Sequence, residues 1–82
     1  MKQEQIKERV IIVIAERADY DIAEVKENTN LSEDLGMDSL EKMCLLMDFE
    51  NEFSITIHDE AIEKANTVSD CIAIVEQSLA KE

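Results

Sequence analysis

The chain has 82 residues, of which 45% are apolar, so we expect a single domain spanning residues 1–82 with one modest core. The absence of proline, the single glycine and the few aromatic residues favour helices joined by loops over a sheet that needs many turns. The net charge of −12 argues against binding to nucleic acid or to membranes, because both interactions depend on basic residues.

Four segments have the apolar spacing of amphipathic helices. We predict the first from about Gln3 to Arg17, with four apolar residues on one face: Ile6, Val10, Val13 and Ile14. Ile11 and Ile12 lie outside this stripe; either they form a second contact surface or a dimer site, or one of them packs against the final helix. A long polar loop follows, which we expect five apolar side chains to fix to the core: Tyr20, Ile22, Val25, Leu31 and Leu35.

The second helix should run from Ser39 to about Phe53. Its start is marked by Asp38, a preferred N-cap residue, and by Glu41, which would complete a capping box. The helix carries two apolar strips, one formed by Leu40, Met43, Cys44 and Met47 and the other by Leu46, Phe49 and Phe53.

Beyond this helix, residues 54–57 alternate like a strand but have no second strand to pair with. We therefore predict an extended crossing that buries one or the other of its two isoleucines. A short helix near Asp59–Lys64 should follow. The last helix should begin after Thr67, with Asp70 as its capping partner, and should bury four residues: Val68, Ile72, Val75 and Leu79. The predicted fold is all-α, a small four-helix bundle of three longer helices and one short helix, with a long loop between the first two.

The acidic residues are unevenly placed along the chain. Residues 33–63 contain ten aspartates or glutamates and a single lysine, Lys42. Such a surface should attract partners with basic patches, mainly by speeding their encounter, although acidity also simply keeps a small protein soluble.

The two cysteines predict no special chemistry. Cys44 and Cys71 form no CxxC pattern and have no histidine at metal-ligand spacing, so we expect no metal site and two reduced thiols. A helical cysteine such as Cys44 is usually a small packing residue. No long apolar run follows the first residues, which predicts neither a signal peptide nor a membrane-spanning helix and makes the cytoplasm the expected location.

The stretch with the clearest chemical meaning is residues 35–40, where the only glycine is followed by a helix cap and a serine. Gly36 allows a positive φ or a close backbone approach. If Asp38 caps the helix, the Ser39 hydroxyl is free to point outward. No nearby side chain could activate Ser39 as a nucleophile, since the sole histidine, His58, lies far along the chain. The pattern predicts no catalytic residue, and it describes either a hydroxyl that another protein modifies or an ordinary capped helix.

This stretch is similar to the Leu-Gly-x-Asp-Ser-Leu signature of the acyl carrier protein family: Leu35-Gly36-Met37-Asp38-Ser39-Leu40. The likeness runs almost from end to end, and four further segments fall at the spacing of that family: Glu8-Arg9-Val10, Glu52-Phe53, Ile57-x-Asp59-Glu60 and Thr67-Val68. Length, acidity and helix order also resemble those of the family.

The resemblance implies a four-helix bundle whose Ser39 receives a covalent 4′-phosphopantetheine arm from coenzyme A through a phosphopantetheinyl transferase. The thiol of that arm would hold acyl groups as thioesters, and a bundle with a deformable core could shelter the acyl chain. The carrier itself would not be an enzyme. It would act as a monomer and present its cargo to acyl-transferring, condensing and modifying enzymes of fatty-acid, polyketide or related biosynthesis.

The resemblance also implies roles for residues around Ser39. Asp38 and Leu40 flank the serine in the motif. Contacts with the basic patches of partner enzymes would come from six residues: Asp38, Leu40, Glu41, Met43, Met47 and Asp59. The acyl chain would lie among seven residues: Leu40, Met43, Phe49, Ile57, Ile62, Ala65 and Ile72.

Several positions differ from a typical fatty-acid carrier. Lys42, Cys44 and Asn51 make the second helix less acidic, Phe49 fills a position often held by leucine, and His58 replaces a common proline. These differences suggest a specialised carrier. Two alternatives remain open at this point: an aminoacyl or peptidyl carrier that keeps the arm, and an unmodified acidic interaction module in which the motif serine only begins a helix.

Overall fold

Residues 2–81 are described by a computed structural model, and this part of the chain contains four α-helices and no β-strand. The helices are α1 (Gln3–Ala18), α2 (Ser39–Phe53), α3 (Asp59–Lys64) and α4 (Val68–Ala80). One 3₁₀ turn, Ile22–Glu24, lies in the loop between α1 and α2. The all-α prediction of three longer helices and one short helix is confirmed. The end residues of the expected domain, Met1 and Glu82, lie outside the described residues.

The helix α1 buries the apolar face that its spacing predicts. It ends at Ala18, where Asp19 adopts a left-handed conformation with a φ of 62°. The Asp19 N–H then donates to the Ala15 carbonyl, which closes the last turn. Ile11 and Ile12 are both half-buried, and Ile11 packs against the core, so the two do not form a fully exposed pair.

The core lies between the three longer helices. α1 packs against α4 and α2, and the short α3 packs against α2 and α4. The largest fully buried side chains come from all four helices and the long loop: Phe49, Ile14, Leu31, Leu45, Ile62, Val10, Val68, Val75 and Cys71. The rings of Phe49 and Phe53 lie 6.5 Å apart at an angle of 46°, which is a favourable aromatic arrangement. Ile55 and Ile57 are both buried, where the alternation predicted only one of them.

The long loop is held to the core by fewer side chains than expected. Val25, Leu31 and Leu35 are buried, as predicted. Tyr20 and Ile22 are exposed, so their prediction as anchors was wrong. The reason is local: the 3₁₀ turn that Ile22 begins has no buried residue, and it therefore lies on the outside of the bundle.

Backbone hydrogen bonds supply the rest of the attachment of the loop. The carbonyls of Glu27 and Thr29 accept from the N–H groups of the second and first residues of α4, at 2.9 and 3.0 Å. The Leu31 N–H donates to the Asn66 carbonyl at 2.8 Å. The first two bonds satisfy amides at the start of α4 that have no partner within the helix, and the third satisfies an amide of the loop. They also hold the loop so that its last residues reach α2 in a fixed direction.

Two arginines of α1 reach acids of α2. Arg17 forms two hydrogen bonds with the Asp48 carboxylate, at 2.7 and 3.0 Å, and Arg9 pairs with Glu52. Each acid raises the pKa of its arginine, first through the hydrogen bond and then through its charge. In contrast, the two acids at the start of α2, Asp38 and Glu41, take part in no ion pair within the described residues. The carboxylates of Asp38 and Glu41 therefore stay available to partners at the N-terminal end of this helix.

The start of α4 depends on a reciprocal cap between Thr67 and Asp70, as predicted. Asp70 Oδ2 accepts from the N–H groups of Asn66 at 2.8 Å and Thr67 at 3.1 Å, and these bonds hold the pKa of the Asp70 carboxyl below its ordinary value. A lowered pKa stabilises the fold at pH values above the pKa of the unfolded chain, about 3.9. That contribution is lost as the pH falls through the lower pKa of the folded state.

We expect Asp70→Asn to remove this pH-dependent contribution, which is about 0.5 kcal/mol because the carboxylate is exposed. Urea unfolding of wild type and variant between about pH 3 and about pH 6 measures the difference, which should shrink as the pH falls. Glu33→Gln is the control, since the Glu33 carboxylate takes part in no hydrogen bond or ion pair among residues 2–81. A difference that grows towards acid would contradict the prediction.

Candidate functional site at the start of α2

The turn before α2 places alternate side chains inside and outside the protein. Leu35 and Met37 are buried, whereas Gly36 between them is exposed and has a φ of 71°. The Gly36 N–H donates to the Ser32 carbonyl at 3.0 Å, and the Met37 N–H donates to the Leu31 carbonyl at 2.9 Å. Glycine adopts a left-handed φ readily because it has no β-carbon. The predicted positive φ is confirmed, and it lets the chain turn while both neighbours stay in the core.

Asp38 is the N-cap of α2, as predicted. Its Oδ1 accepts from the Glu41 N–H at 2.8 Å, and its carbonyl accepts from the Lys42 N–H at 3.0 Å. The reciprocal bond from the Asp38 N–H to the Glu41 side chain, which would complete a capping box, is not formed in the described part of the chain. The Glu41 carboxylate is therefore not engaged by the cap.

Ser39 is the first residue of α2, and it is exposed. No hydrogen bond among residues 2–81 involves its hydroxyl, because Asp38 already caps the helix. His58 lines a different cleft at the start of α3, and Ser39 does not contribute to that cleft. Within the described residues, the Ser39 hydroxyl is an accessible group to which no side chain is hydrogen-bonded, which suits a group that another protein modifies.

A cleft of about 280 Å³ opens between α2 and α3 beside this serine. Ser39, Lys42 and Met43 line it from α2, and Glu63 lines it from α3. The Lys42 ammonium donates to the carbonyl of Ala65, directly after α3, at 2.9 Å. A group attached at Ser39 would begin at the mouth of a cleft that holds two opposite charges and one apolar side chain.

Comparison with known proteins gives this site its chemistry. A sequence profile described as a phosphopantetheine attachment site matches residues 8–75. The chain is 43% identical to an acyl carrier protein of Exiguobacterium sp. over 79 residues, which cover 96% of this chain and 100% of that protein. It is 39% identical to an acyl carrier protein of Thermotoga maritima over 77 residues, 94% of this chain and 95% of that protein. The chain belongs to the acyl carrier protein family.

Solved structures of acyl carrier proteins agree with this assignment. A crystal structure of an acyl carrier protein from Thermotoga maritima matches with a TM-score of 0.80 and 33% identity, over 99% of this chain and 94% of that chain. The solution structure of the apo doublet acyl carrier protein from prodigiosin biosynthesis matches with a TM-score of 0.76 and 24% identity, over 90% of this chain and 36% of that chain. The second match supports the fold alone. The protein is thus a carrier that holds acyl groups through phosphopantetheine and interacts with biosynthetic enzymes.

The residues assigned to partner contacts differ in exposure. Four of the six are exposed: Asp38, Leu40, Met47 and Asp59. Leu40 and Met47 present the largest apolar surface of α2, with exposed fractions of 73% and 54%. Glu41 is half-buried, and Met43 packs partly against the core as well as lining the cleft. The role of these side chains in binding enzymes of the family remains a prediction.

The buried face of α2 differs from the two strips that its spacing suggests. Leu40 and Met47 are exposed, so the first strip is not a core face, and Leu45, which neither strip included, is fully buried. The physical reason is that α2 contacts α1, α3 and α4, so the positions of these helices decide which side chains of α2 are buried. With 73% of its side chain exposed, Leu40 does not line an interior path for the cargo. The other six residues expected to line such a path are buried or half-buried.

The two cysteines of the carrier differ in their surroundings. Burial raises the pKa of the Cys71 thiol to about 12, which keeps it protonated and unreactive. Cys44 is half-buried on α2. Residues 2–81 contain no cluster of three or more side chains that could hold a metal ion. None of the helices described there is long and apolar enough to cross a membrane.

Proposed function

We propose that Ser39 carries the 4′-phosphopantetheine arm, and that the arm presents acyl groups as thioesters to enzymes of fatty-acid, polyketide or related biosynthesis. The observation that carries the proposal is the exposed Ser39 hydroxyl, which begins α2 beside a cleft and is not used as a cap. The surroundings fit the group, because a phosphate bound to Ser39 would lie at the positive end of the helix dipole. Lys42, three residues along the same helix, adds a positive charge within reach.

Attachment of the arm needs a hydroxyl and a base. The Ser39 oxygen forms a bond to the phosphorus that carries the pantetheine half of coenzyme A, and the bond from that phosphorus to adenosine 3′,5′-bisphosphate breaks. The serine proton passes to a base, and since no side chain of residues 2–81 is hydrogen-bonded to the Ser39 hydroxyl, a phosphopantetheinyl transferase supplies it. In this proposal the chain catalyses nothing. Ser39 receives the phosphopantetheine group and then holds it covalently.

Partner enzymes, in this proposal, bind the N-terminal end of α2 through basic patches. The acids at that end form no ion pair among residues 2–81, so they favour such partners. Leu40 and Met47 add apolar contact area. The carrier acts as a monomer in the cytoplasm. One buried cluster that draws on all four helices supports a single domain over residues 1–82.

We expect Leu40→Ala to slow arm attachment by about five- to tenfold, because an apolar side chain beside the reacting hydroxyl is lost from the interface with the transferase. The free energy of unfolding should change by less than about 0.5 kcal/mol, since the side chain is largely exposed. The kcat/KM of the transferase with each variant as substrate measures the first effect, and urea unfolding measures the second. Ile22→Ala, which removes an exposed isoleucine from the loop, is the control. Equal rates for the two variants would refute the assignment of Leu40 to the interface.

Incubation with a promiscuous phosphopantetheinyl transferase, coenzyme A and Mg²⁺ tests the proposed function. The intact mass should rise by one phosphopantetheine. Trypsin then releases residues 27–42, which contain two serines, Ser32 and Ser39. Fragmentation of this peptide should place the group on Ser39. An unchanged mass, or a group on Ser32, contradicts the proposal.

A further inference from the structure

Lys42 turns towards α3 and not towards solvent. Its ammonium donates to the Ala65 carbonyl at 2.9 Å, across the cleft that Ser39, Met43 and Glu63 also line. The residue is half-buried. From sequence alone this lysine is a positive charge on the surface of the second helix, whereas in the structure it lies in the mouth of the cleft.

Lys42 lies between Ser39 and the residue that follows α3, because it lines the cleft beside Ser39 and bonds to Ala65. Ala65 is buried on the far side of the cleft, and Met43 packs partly against the core on the near side. Burial raises the pKa of the Cys71 thiol on α4, and the Lys42 ammonium acts against that rise, which places its charge within electrostatic reach of the core. A chain that passes from Ser39 between α2 and α3 meets this ammonium before it reaches the buried apolar side chains.

The ammonium group has three N–H donors, so it interacts differently with acyl chains that carry a hydrogen-bond acceptor and with plain alkyl chains. Ala65 accepts from one of them, and a cleft of this size has room for water at the others. A plain alkyl chain that fills the cleft expels this water from the free Lys42 donors and from the Glu63 carboxylate, and the removal of water from charged groups is unfavourable. A chain with a hydrogen-bond acceptor close to its thioester takes the place of the water and keeps the donors paired.

We propose that Lys42 is a specificity-determining residue for the cargo, which admits to the cleft acyl groups with an acceptor, such as a hydroxyl, near the thioester and disfavours plain alkyl groups. The inference rests on the proposed attachment at Ser39, since an arm anchored there can fold back along this cleft. Displacement of the whole Lys42 side chain would also open the path. That displacement breaks the hydrogen bond to Ala65, which a chain with an acceptor leaves intact. The plain alkyl chain therefore remains disfavoured.

Two cargoes that differ by one hydroxyl test the proposal. Wild type and variants are loaded by the transferase from octanoyl-coenzyme A or 3-hydroxyoctanoyl-coenzyme A, and intact mass confirms the loading. The rate at which hydroxylamine cleaves each thioester reports how well the protein shelters it. For each protein we take the cleavage rate of the octanoyl thioester divided by that of the 3-hydroxyoctanoyl thioester. This ratio in each variant is compared with the ratio in wild type. The intrinsic reactivity of each thioester cancels in this comparison.

Lys42→Met keeps an unbranched side chain, one atom shorter, but removes its charge and its donors. We expect this variant to shelter the octanoyl group better, so that the ratio falls by about threefold or more. Lys42→Arg keeps charged donors and should retain the wild-type ratio. Lys64→Met removes an exposed lysine from the last turn of α3 and makes the same change in net charge, so it should also retain the ratio.

The outcomes separate this inference from the function on which it rests. A lower ratio in Lys42→Met alone supports the role of Lys42. An unchanged ratio in that variant, or an equal fall in Lys64→Met, overturns that role and leaves attachment at Ser39 intact, because loading is checked separately. A wild-type chain that takes up no arm overturns the proposed function and this inference with it.

Discussion

Replacing Ser39 by alanine is expected to abolish arm attachment, the largest functional effect that we expect from a single substitution. The transferase joins the arm to a hydroxyl oxygen, and alanine has none, so the mass should stay that of the unmodified chain. The free energy of unfolding should change by less than about 0.5 kcal/mol, because Ser39 is exposed and Asp38 caps α2 in its place. Intact mass after incubation with coenzyme A and the transferase, together with urea unfolding, measures both effects.

Ser32→Ala is the matched control for this experiment. Ser32 is also exposed, and it holds the turn at Gly36 through its carbonyl and not through its hydroxyl. The variant should therefore take up the arm as wild type does. Uptake by Ser39→Ala would show that another residue is the acceptor. Failure of a folded Ser32→Ala to load would show that the attachment site has been assigned to the wrong serine.

Phe49→Ala should have the largest effect on stability, a loss of about 3–5 kcal/mol in the free energy of unfolding. Phe49 is fully buried on α2 near Phe53, and α2 contacts each of the other three helices, so its truncation leaves a cavity in the centre of the core. A domain of this size has a total stability of about 4–12 kcal/mol. The variant should therefore unfold at a much lower urea concentration, which circular dichroism measures.

Met47→Ala is the control for this prediction. Met47 lies on the same helix but is 54% exposed, so its truncation should cost less than about 1 kcal/mol. A loss similar to that of Phe49→Ala would mean that the buried arc of α2 faces another direction. If neither variant loses stability, the core does not depend on the contacts described for α2.

The four helices differ in how firmly they are held to one another. α1 is joined to α2 by two ion pairs and to α4 by core packing. α3 is a six-residue helix with one buried residue, Ile62, so it has the least core packing of the four helices described. The bond from Lys42 to Ala65 adds to its attachment. Among the four helices described, α3 therefore contributes the fewest buried side chains to the core, although it packs closely against α2.

Much of the fold could be predicted from local signals. The bounds of α2 and α3 are as the sequence indicates, and α1 is one residue longer. The starts of α2 and α4 are marked by capping residues, Asp38 and Thr67, whose side chains accept hydrogen bonds three residues along the chain. Such bonds depend only on neighbours in sequence. The only glycine of the chain allowed a positive φ or a close backbone approach at this turn, and the structure shows the positive φ.

The direction of side chains could not be predicted in the same way. Spacing on α2 allowed two apolar strips but did not show which neighbours would cover them, so it missed the burial of Leu45 and the exposure of Leu40. In the long loop, Ile22 has the same apolar character as Val25 but lies in an exposed turn. Burial depends on which segments pack nearby, and these come from distant parts of the chain.

Lys42 shows this difference most clearly. The geometry around Ser39 depends on near neighbours in sequence, because the Gly36 N–H donates to the Ser32 carbonyl and the Asp38 carboxylate accepts from the Glu41 N–H. The contact of Lys42 with Ala65 joins residues 23 positions apart, and no local pattern marks it. It exists because α3 packs against α2 and brings that carbonyl within reach of the ammonium. Local hydrogen bonds thus set the exposure of Ser39, whereas the packing of α3 against α2 sets the position of Lys42 beside it.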